Sequence, residues 1–364
     1  SLEPMAWKKL PRNLTFIGLP ELSRLHADDL IPNLPPKLTH IHVSSKVEVN
    51  DEMAQALPST LTRMTGHIIH LPESFKYLNP DFEHISVSLP HDKPQAAITL
   101  PPLPPRLRSL YIKGSGWLDP AVHPLKGLTS LRLENWNPPS FDPSFLPTTL
   151  LSLIIEGQSH QLQFVQVSLL PRSITELTMS LHHPPSGLLD FDGFPLHLQS
   201  LRLEIIPAKR KTFSMTKAKL GRNLPPHLRS LALSGRYKLF LNEWIDVLPP
   251  ALVHLELRPK ELHGSSMHDA LDSKLTSQSF ASLPRNLSTL AICINDVMND
   301  SSLARLPRGL EKLSIEKSPP SNSIITSEYT KMLPPNVVEV VLPQSTSVEY
   351  IPLRPNSPAP FRRK

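Results

Sequence analysis

The pattern LPxxLxxLxL recurs along this chain at short, nearly even spacing. No single copy can enclose its own apolar residues, so copies must stack and share a core along one axis. Residues 224–235, LPPHLRSLALSG, are the clearest copy; LPRNLTFIGL from Leu10, LPPKLTHIHV from Leu34, LPPRLRSLYI from Leu103 and LPRGLEKLSI from Leu306 are close to it. With the anchor as position 0, anchors fall at Leu10, Leu34, Leu57, Leu78, Leu103, Pro124, Leu146, Leu170, Phe194, Leu224, Leu248, Leu283, Leu306 and Leu333. That makes fourteen copies, and ten of the thirteen intervals lie between 21 and 25 residues.

Position 1 is Pro in twelve copies, positions 4 and 7 are apolar in all fourteen, and position 9 is apolar in all but the one that carries Gly66. Positions 7 and 9 alternate with more polar residues at 6, 8 and 10, the period of a strand with one buried face. One short strand per repeat leaves too much chain between strands for hairpins, so neighbouring strands run parallel with a crossover between them. Proline at position 1 lacks an amide donor and suits the turn into the strand. The five copies with Pro at position 2 (Pro36, Pro105, Pro226, Pro250, Pro335) stiffen the same corner. Ile31, Val167, Ile245, Phe280 and Leu303, three places before their anchors, predict short helical or 3₁₀ turns that face inward from the return segments. The spacing of Met267, Ala270, Leu271 and Leu275 predicts a helix in a long insertion at 265–279, and 209–222 reads as a basic, solvated insertion.

Residues 1–9 read as a flank, 10–342 as the solenoid and 343–364 as a Pro-rich basic tail. The 42 prolines and 12 glycines together make 54 of 364 residues, below the roughly 25–30% of low-complexity chains. A formal charge of +6 spread over an elongated surface does not point to nucleic acid. Cys293 is the single cysteine, which excludes an intrachain disulfide and suggests an intracellular protein, cytoplasmic or nuclear. No apolar run approaches the ~18 residues that read as a membrane span.

L-x-x-L-x-L after an LP anchor resembles the leucine-rich repeat. Among its variants the chain is similar to the LP-type repeats of bacterial effectors and the FNIP repeats of amoebae, on Leu224, Pro225, Leu228, Leu231 and Leu233 and their counterparts. The likeness runs over about residues 10–342. Two columns depart from it: the Asn that usually follows the strand is replaced by residues such as Lys46, Trp136 and Arg236, and the Phe-Asn pairs of FNIP repeats are absent. The resemblance implies an α/β repeat solenoid, a curved horseshoe with a parallel sheet on its concave face. It further implies a non-catalytic scaffold that binds a protein on that face, or the substrate-recognition region of a larger enzyme complex such as a ubiquitin ligase.

In that geometry the outward positions are 6, 8 and 10, and the residues they carry predict a partner-binding strip. It comprises His40, His42, Arg63 and His84 in early repeats, then Tyr111, Lys113, Arg132, Glu134, Glu156 and Glu176, then Arg202, Glu204, His254, Glu256 and Arg258. Opposite charges on neighbouring strands, such as Arg132 with Glu134 or Glu156, can also simply pair with one another. His40, His42 and His84 lack a carboxylate or thiolate third ligand, so no metal is expected, and no cofactor or small-molecule substrate is indicated. There is no P-loop, dinucleotide Gly fingerprint, GxSxG or HExxH, and no activating base beside Cys293, so the chain does not read as an enzyme.

Overall fold

The computed structural model describes residues 10–19, 33–70, 76–88, 97–98, 103–114, 117–118, 126–135, 143–156, 167–182, 193–206, 213–215, 224–235, 237–239, 245, 248–259, 280–294, 300–317 and 329–341. The predicted helix at 265–279, the flank at 1–9 and the tail at 343–364 lie outside them, as does Ile31. The chain divides into two compact units, Ser1–Val165 with Leu169–Ile174, and Thr175–Lys364 with Gln166–Ser168.

Each unit is a parallel-strand solenoid with one sheet strand per repeat. The first carries β1 (Phe16–Leu19), β2 (His40–Val49), β3 (Arg63–His70), β4 (His84–Ser88), β5 (Ser109–Lys113), β6 (Ser130–Glu134) and β7 (Ser152–Glu156). The second carries β8 (Glu176–His182), β9 (Ser200–Ile206), β10 (Ser230–Gly235), β11 (His254–Pro259), β12 (Thr289–Ile294), β13 (Lys312–Lys317) and β14 (Glu339–Val341). Within each unit every strand pairs parallel with the strand of the next repeat, position 6 against position 6. The register follows the position within the motif rather than the repeat length, since it is kept where successive strands lie 21, 30 or 35 residues apart.

The core follows the apolar columns. Position 7 is buried in all fourteen repeats, and position 4 is buried in thirteen, often without any exposure, as at Leu38, Leu61, Leu150, Leu228 and Leu310. Fully burying one such leucine stabilises by about 1.5–3 kcal/mol relative to leaving it exposed. The return segments contribute Ala54, Ile245, Phe280 and Leu303 to the same core, while Val167 is only half-buried. Short helices form in the return segments at α1 (Asp51–Ala56), α2 (Asp300–Leu303) and α3 (Tyr329–Met332), with 3₁₀ turns at Pro143–Phe145 and Val167–Leu169; those at Leu303 and Val167 fall on expected positions. Asn50 caps α1, its side chain accepting the Met53 amide at 2.8 Å.

The proline corner is a hydrogen-bonded turn. The position-1 carbonyl accepts the position-4 amide, as in Pro35 to Leu38 at 3.1 Å, Pro225 to Leu228 at 3.1 Å and Pro307 to Leu310 at 3.1 Å. The second prolines sit one place later, where their fixed φ suits a β-turn. Asn79, which replaces one of the prolines, keeps the turn: its carbonyl accepts from Phe82 at 3.0 Å and its side chain accepts from the Asp81 amide at 3.0 Å.

Two features go beyond the sequence reading. The missing Asn column is answered elsewhere: polar side chains at position 3 donate to turn carbonyls of the preceding repeat. Thr60 reaches Pro36 and Leu38 (both 2.8 Å), Thr149 reaches Leu128 (2.8 Å), Ser173 reaches Leu150 (2.6 Å) and Asn286 reaches Pro250 (3.1 Å). In addition, small parallel pairs form in the return segments, Ala97–Ile98 with Trp117–Leu118 and Phe213–Met215 with Tyr237–Leu239. The latter places a strand inside the basic insertion at 209–222, where the sequence reading expects only a solvated loop; Phe213-Ser214-Met215 has the alternation of a strand.

Two glycines with positive φ sit where repeats approach closely, and Gly193 is approached by Ser168 in the same way. Gly66 (φ 110°) would place a Cβ 1.8 Å from the Val43 carbonyl oxygen, and Gly235 (φ 116°) would place one 1.9 Å from that of Ile205. By contrast, Gly127 (φ 86°) faces open space. Gly235→Ala is expected to destabilise by about 2 kcal/mol or more and Gly127→Ala by about 1 kcal/mol, measured by urea unfolding. Equal effects at the two sites would contradict the packing of β10 on β9.

Candidate partner-binding face

In each unit the side of the sheet opposite the core carries that unit's candidate binding residues. His40, Arg63, His84, Glu176 and His254 occupy position 6; His42, Tyr111, Arg132, Arg202 and Glu256 position 8; and Lys113, Glu134, Glu156, Glu204 and Arg258 position 10. None is buried. Parallel pairing sets same-position residues of successive repeats about 4.8 Å apart, close enough for their side chains to meet.

In the first unit the middle of this face is a compact polar network. Glu134 accepts the Tyr111 hydroxyl and a 2.7 Å contact from Lys113, with Arg132 at 3.7 Å. Arg132 also reaches Glu156 at 2.8 Å and lies 5.1 Å from the centre of the Tyr111 ring, a cation–π arrangement. Burial pushes the Glu134 carboxyl up, but the hydrogen bonds from Lys113 and Tyr111 and the charges of Lys113 and Arg132 outweigh it and leave it below its ordinary value. Burial and the hydrogen bond to Glu134 push the Tyr111 phenol up, so it stays a donor. Two cations and two carboxylates thus satisfy each other across three strands.

The early repeats differ. His40, Arg63 and His84 stand side by side in register on β2, β3 and β4. Thr65 lies between two imidazoles, its Oγ1 3.2 Å from His40 Nε2 and 3.0 Å from His42 Nδ1, and it donates to the Ile41 carbonyl at 3.4 Å. A hydroxyl has one proton, so making all three bonds requires both rings to donate. Phe16 packs edge-on against His40, with ring centres 4.9 Å apart. Burial is the main cause that lowers the His40 and His84 values, followed by the charge of Arg63. Among the described residues no group of three or more His, Cys, Asp or Glu is arranged to hold a metal ion.

In the second unit Glu256 is shared by Arg258 at 3.3 Å and Arg202 at 3.7 Å. Arg202 sits two strands away, and the intervening residue in register is Ala232. That small side chain leaves the guanidinium room to reach over β10. Ser180 donates to Glu204 at 3.0 Å. Glu176 and His254 are exposed. Sequence reasoning missed Thr65 and Ser180, because a neutral hydroxyl carries no signal until its neighbours are known. His67 and Cys293 have backbone in β3 and β12, but their side chains lie outside the described set.

The chain matches no family model and no curated protein. Among solved structures it is similar to CroV588, a circular leucine-rich-repeat protein, at 17% identity and TM-score 0.49, over 94% of this chain and 55% of that one. The chain therefore spans little more than half the length of that protein. It is also similar to an internalin from Listeria monocytogenes (13% identity, 93% of this chain and 88% of that one, TM-score 0.49) and to a leucine-rich-repeat protein of Leptospira interrogans (16%, 91% and 71%, TM-score 0.41). The assignment as a parallel-strand repeat solenoid rests on strand order and register. Among the described residues no helix is long and apolar enough to cross a membrane.

The Tyr111–Glu156 network yields a stability prediction. The Glu134 carboxyl is held below its unfolded value, so the stability it contributes is present above that value and is lost as pH falls through the folded one. Glu134→Gln is expected to destabilise by about 1–2 kcal/mol at pH 7. The gap to wild type should close as pH drops below about 4, measured by urea unfolding across pH. A gap that stays constant down to pH 3 would show that the charge of Glu134 contributes nothing.

Proposed function

We propose that this chain is a non-catalytic leucine-rich-repeat scaffold of the LP-anchored type that holds a protein partner on the outward face of its sheet. The observation that carries this reading is the in-register strand array. It holds aromatic, cationic and anionic side chains at fixed spacing on short parallel strands, with the backbone already ordered. A partner docking there immobilises little that is not already fixed, so less of the interaction energy is lost to ordering. Interspersed charges favour a polar, specific interface, with Tyr111, Arg132 and Arg202 as the residue types that most often anchor binding.

The mutual pairing of these charges is compatible with such a role. Surface pairs are individually worth about 0–1 kcal/mol and can re-form with a partner's groups. A role as the recognition region of a ubiquitin ligase would use the same face and differs only in what else is attached.

The test is affinity purification with the chain as bait, compared with the double variant Arg202→Glu/Glu204→Lys. Arg202 is more than half exposed and Glu204 is not buried, so the variant should keep its Tm within a few degrees. Its yield of the co-purifying partner should fall about tenfold or more. Unchanged capture by this variant and by a second one at Arg132 and Tyr111 would exclude the outward face as the binding surface.

A further inference from the structure

The outward face is uneven in charge. Around Tyr111 and around Glu256 each described cation has a carboxylate within reach. At the β2–β4 end the balance is different: His40, Arg63 and His84 form an unbroken row at position 6, with His42 beside His40 on the same strand. The described carboxylate against this row is Glu83, 3.5 Å from Arg63 and one residue before β4 rather than on the row itself. Both partners of that pair are about half exposed, so water screens it strongly.

We propose that this row receives a carboxylate-rich segment of the protein partner and grips it more tightly as pH falls. The inference rests on the partner-face reading above and names the chemistry of what docks there. Guanidinium and imidazolium groups are donors only, and a carboxylate is an acceptor only, so the match is complete when the histidines are charged. The row spans three strands, about 10 Å, and an extended peptide sets alternate side chains about 6.7 Å apart. Two carboxylates of one segment therefore fall within it. The row holds a single permanent cation, Arg63, and this argues against a polyanion such as DNA, whose binding depends on neutralising many phosphates.

The pH dependence follows from what faces each imidazole. His40 meets uncharged Phe16 from β1, His42 on its own strand and Arg63 from β3. His84 meets Arg63 from β3, Glu83 just before it and Arg108 just before β5, with His40 further along the row. Apart from Glu83, these charged and titratable neighbours disfavour a second positive charge, so the unliganded row is mostly neutral imidazole at pH 7.5. A docked carboxylate reverses that effect and binding takes up protons. Protons are then co-ligands, and affinity rises as the pH is lowered and the histidines charge, while Glu side chains of the peptide stay ionised down to about 4.3. With the Thr65 proton donated to the Ile41 carbonyl, its oxygen is left to accept from His40 Nε2, and protonating that ring then breaks no bond.

The experiment is fluorescence anisotropy on the full chain with a labelled nine-residue peptide alternating Glu and Ser, its Gln/Ser counterpart, and a single-stranded DNA oligonucleotide of equal charge. The Glu peptide is expected to bind about tenfold tighter at pH 5.5 than at pH 7.5, and the Gln peptide to bind weakly at both. Arg63→Gln should weaken binding at both pH values, and His40→Gln/His84→Gln should flatten the pH profile while leaving binding at pH 7.5 within about twofold. Equal binding of the Gln peptide, DNA binding as tight as the Glu peptide, or an unchanged pH profile in the histidine variant would each overturn the proposal. If the Glu peptide fails but partner capture still depends on Arg202 and Glu204, the row is not an acidic-peptide site and the broader reading stands. If capture ignores every outward substitution, both fall.

Discussion

A single backbone acceptor recurs at the start of almost every strand, and the stacking depends on it. The position-5 carbonyl takes the amides of positions 5 and 6 of the next repeat, as Thr15 does from Thr39 (3.0 Å) and His40 (3.1 Å), and as Gln199 does from Arg229 (2.8 Å) and Ser230 (2.9 Å). A hydroxyl at position 5 adds a third donor at Thr39 (3.0 Å to Thr15) and Thr129 (3.1 Å to Arg108). Parallel strands have no tight turn to hold them in register. Here the register is pinned where the chain leaves the proline corner, and everything further along the strand inherits it. Each repeat then satisfies its polar backbone largely on its predecessor, so the repeats stand or fall with their neighbours.

The outward face is a consequence of that register. Because position 6 meets position 6 and position 8 meets position 8, a substitution in one repeat changes the neighbourhood of residues about 23 positions away. Lys113 finds Glu134 at the same position of the next repeat, Arg132 reaches diagonally to Glu156, and Arg202 passes over Ala232 to Glu256. The same rule aligns His40, Arg63 and His84 with few opposing charges. Stretches rich and poor in opposite charge thus arise from identical geometry, and only the residue type in each slot differs.

Much of the fold is legible in the order of residues. The apolar columns at positions 4 and 7 identify the core, and their period gives a parallel array rather than hairpins. Proline in phase marks the turn, and Asn79 shows that the turn needs an acceptor carbonyl at position 1 rather than proline itself. The short parallel pair at Phe213–Met215 and Tyr237–Leu239 was not legible, because three residues of alternation inside a lysine-rich stretch carry too little signal. Nor was the replacement of the Asn column by Thr60, Thr149, Ser173 and Asn286, since these are different residue types at a position that lies in a turn.

What the sequence by itself determined is the set of residues on each face, because that depends only on the period of two within a strand and on the repeat length. Which outward residues meet was decided by tertiary structure. The reach of Arg202 past a small side chain, the Thr65 hydroxyl between His40 and His42, and the convergence of Tyr111, Lys113 and Arg132 on Glu134 all depend on rotamers and distances across strands. Burial is a property of periodicity and can be read along one chain segment, whereas pairing is a property of neighbours that the repeat brings together from far apart.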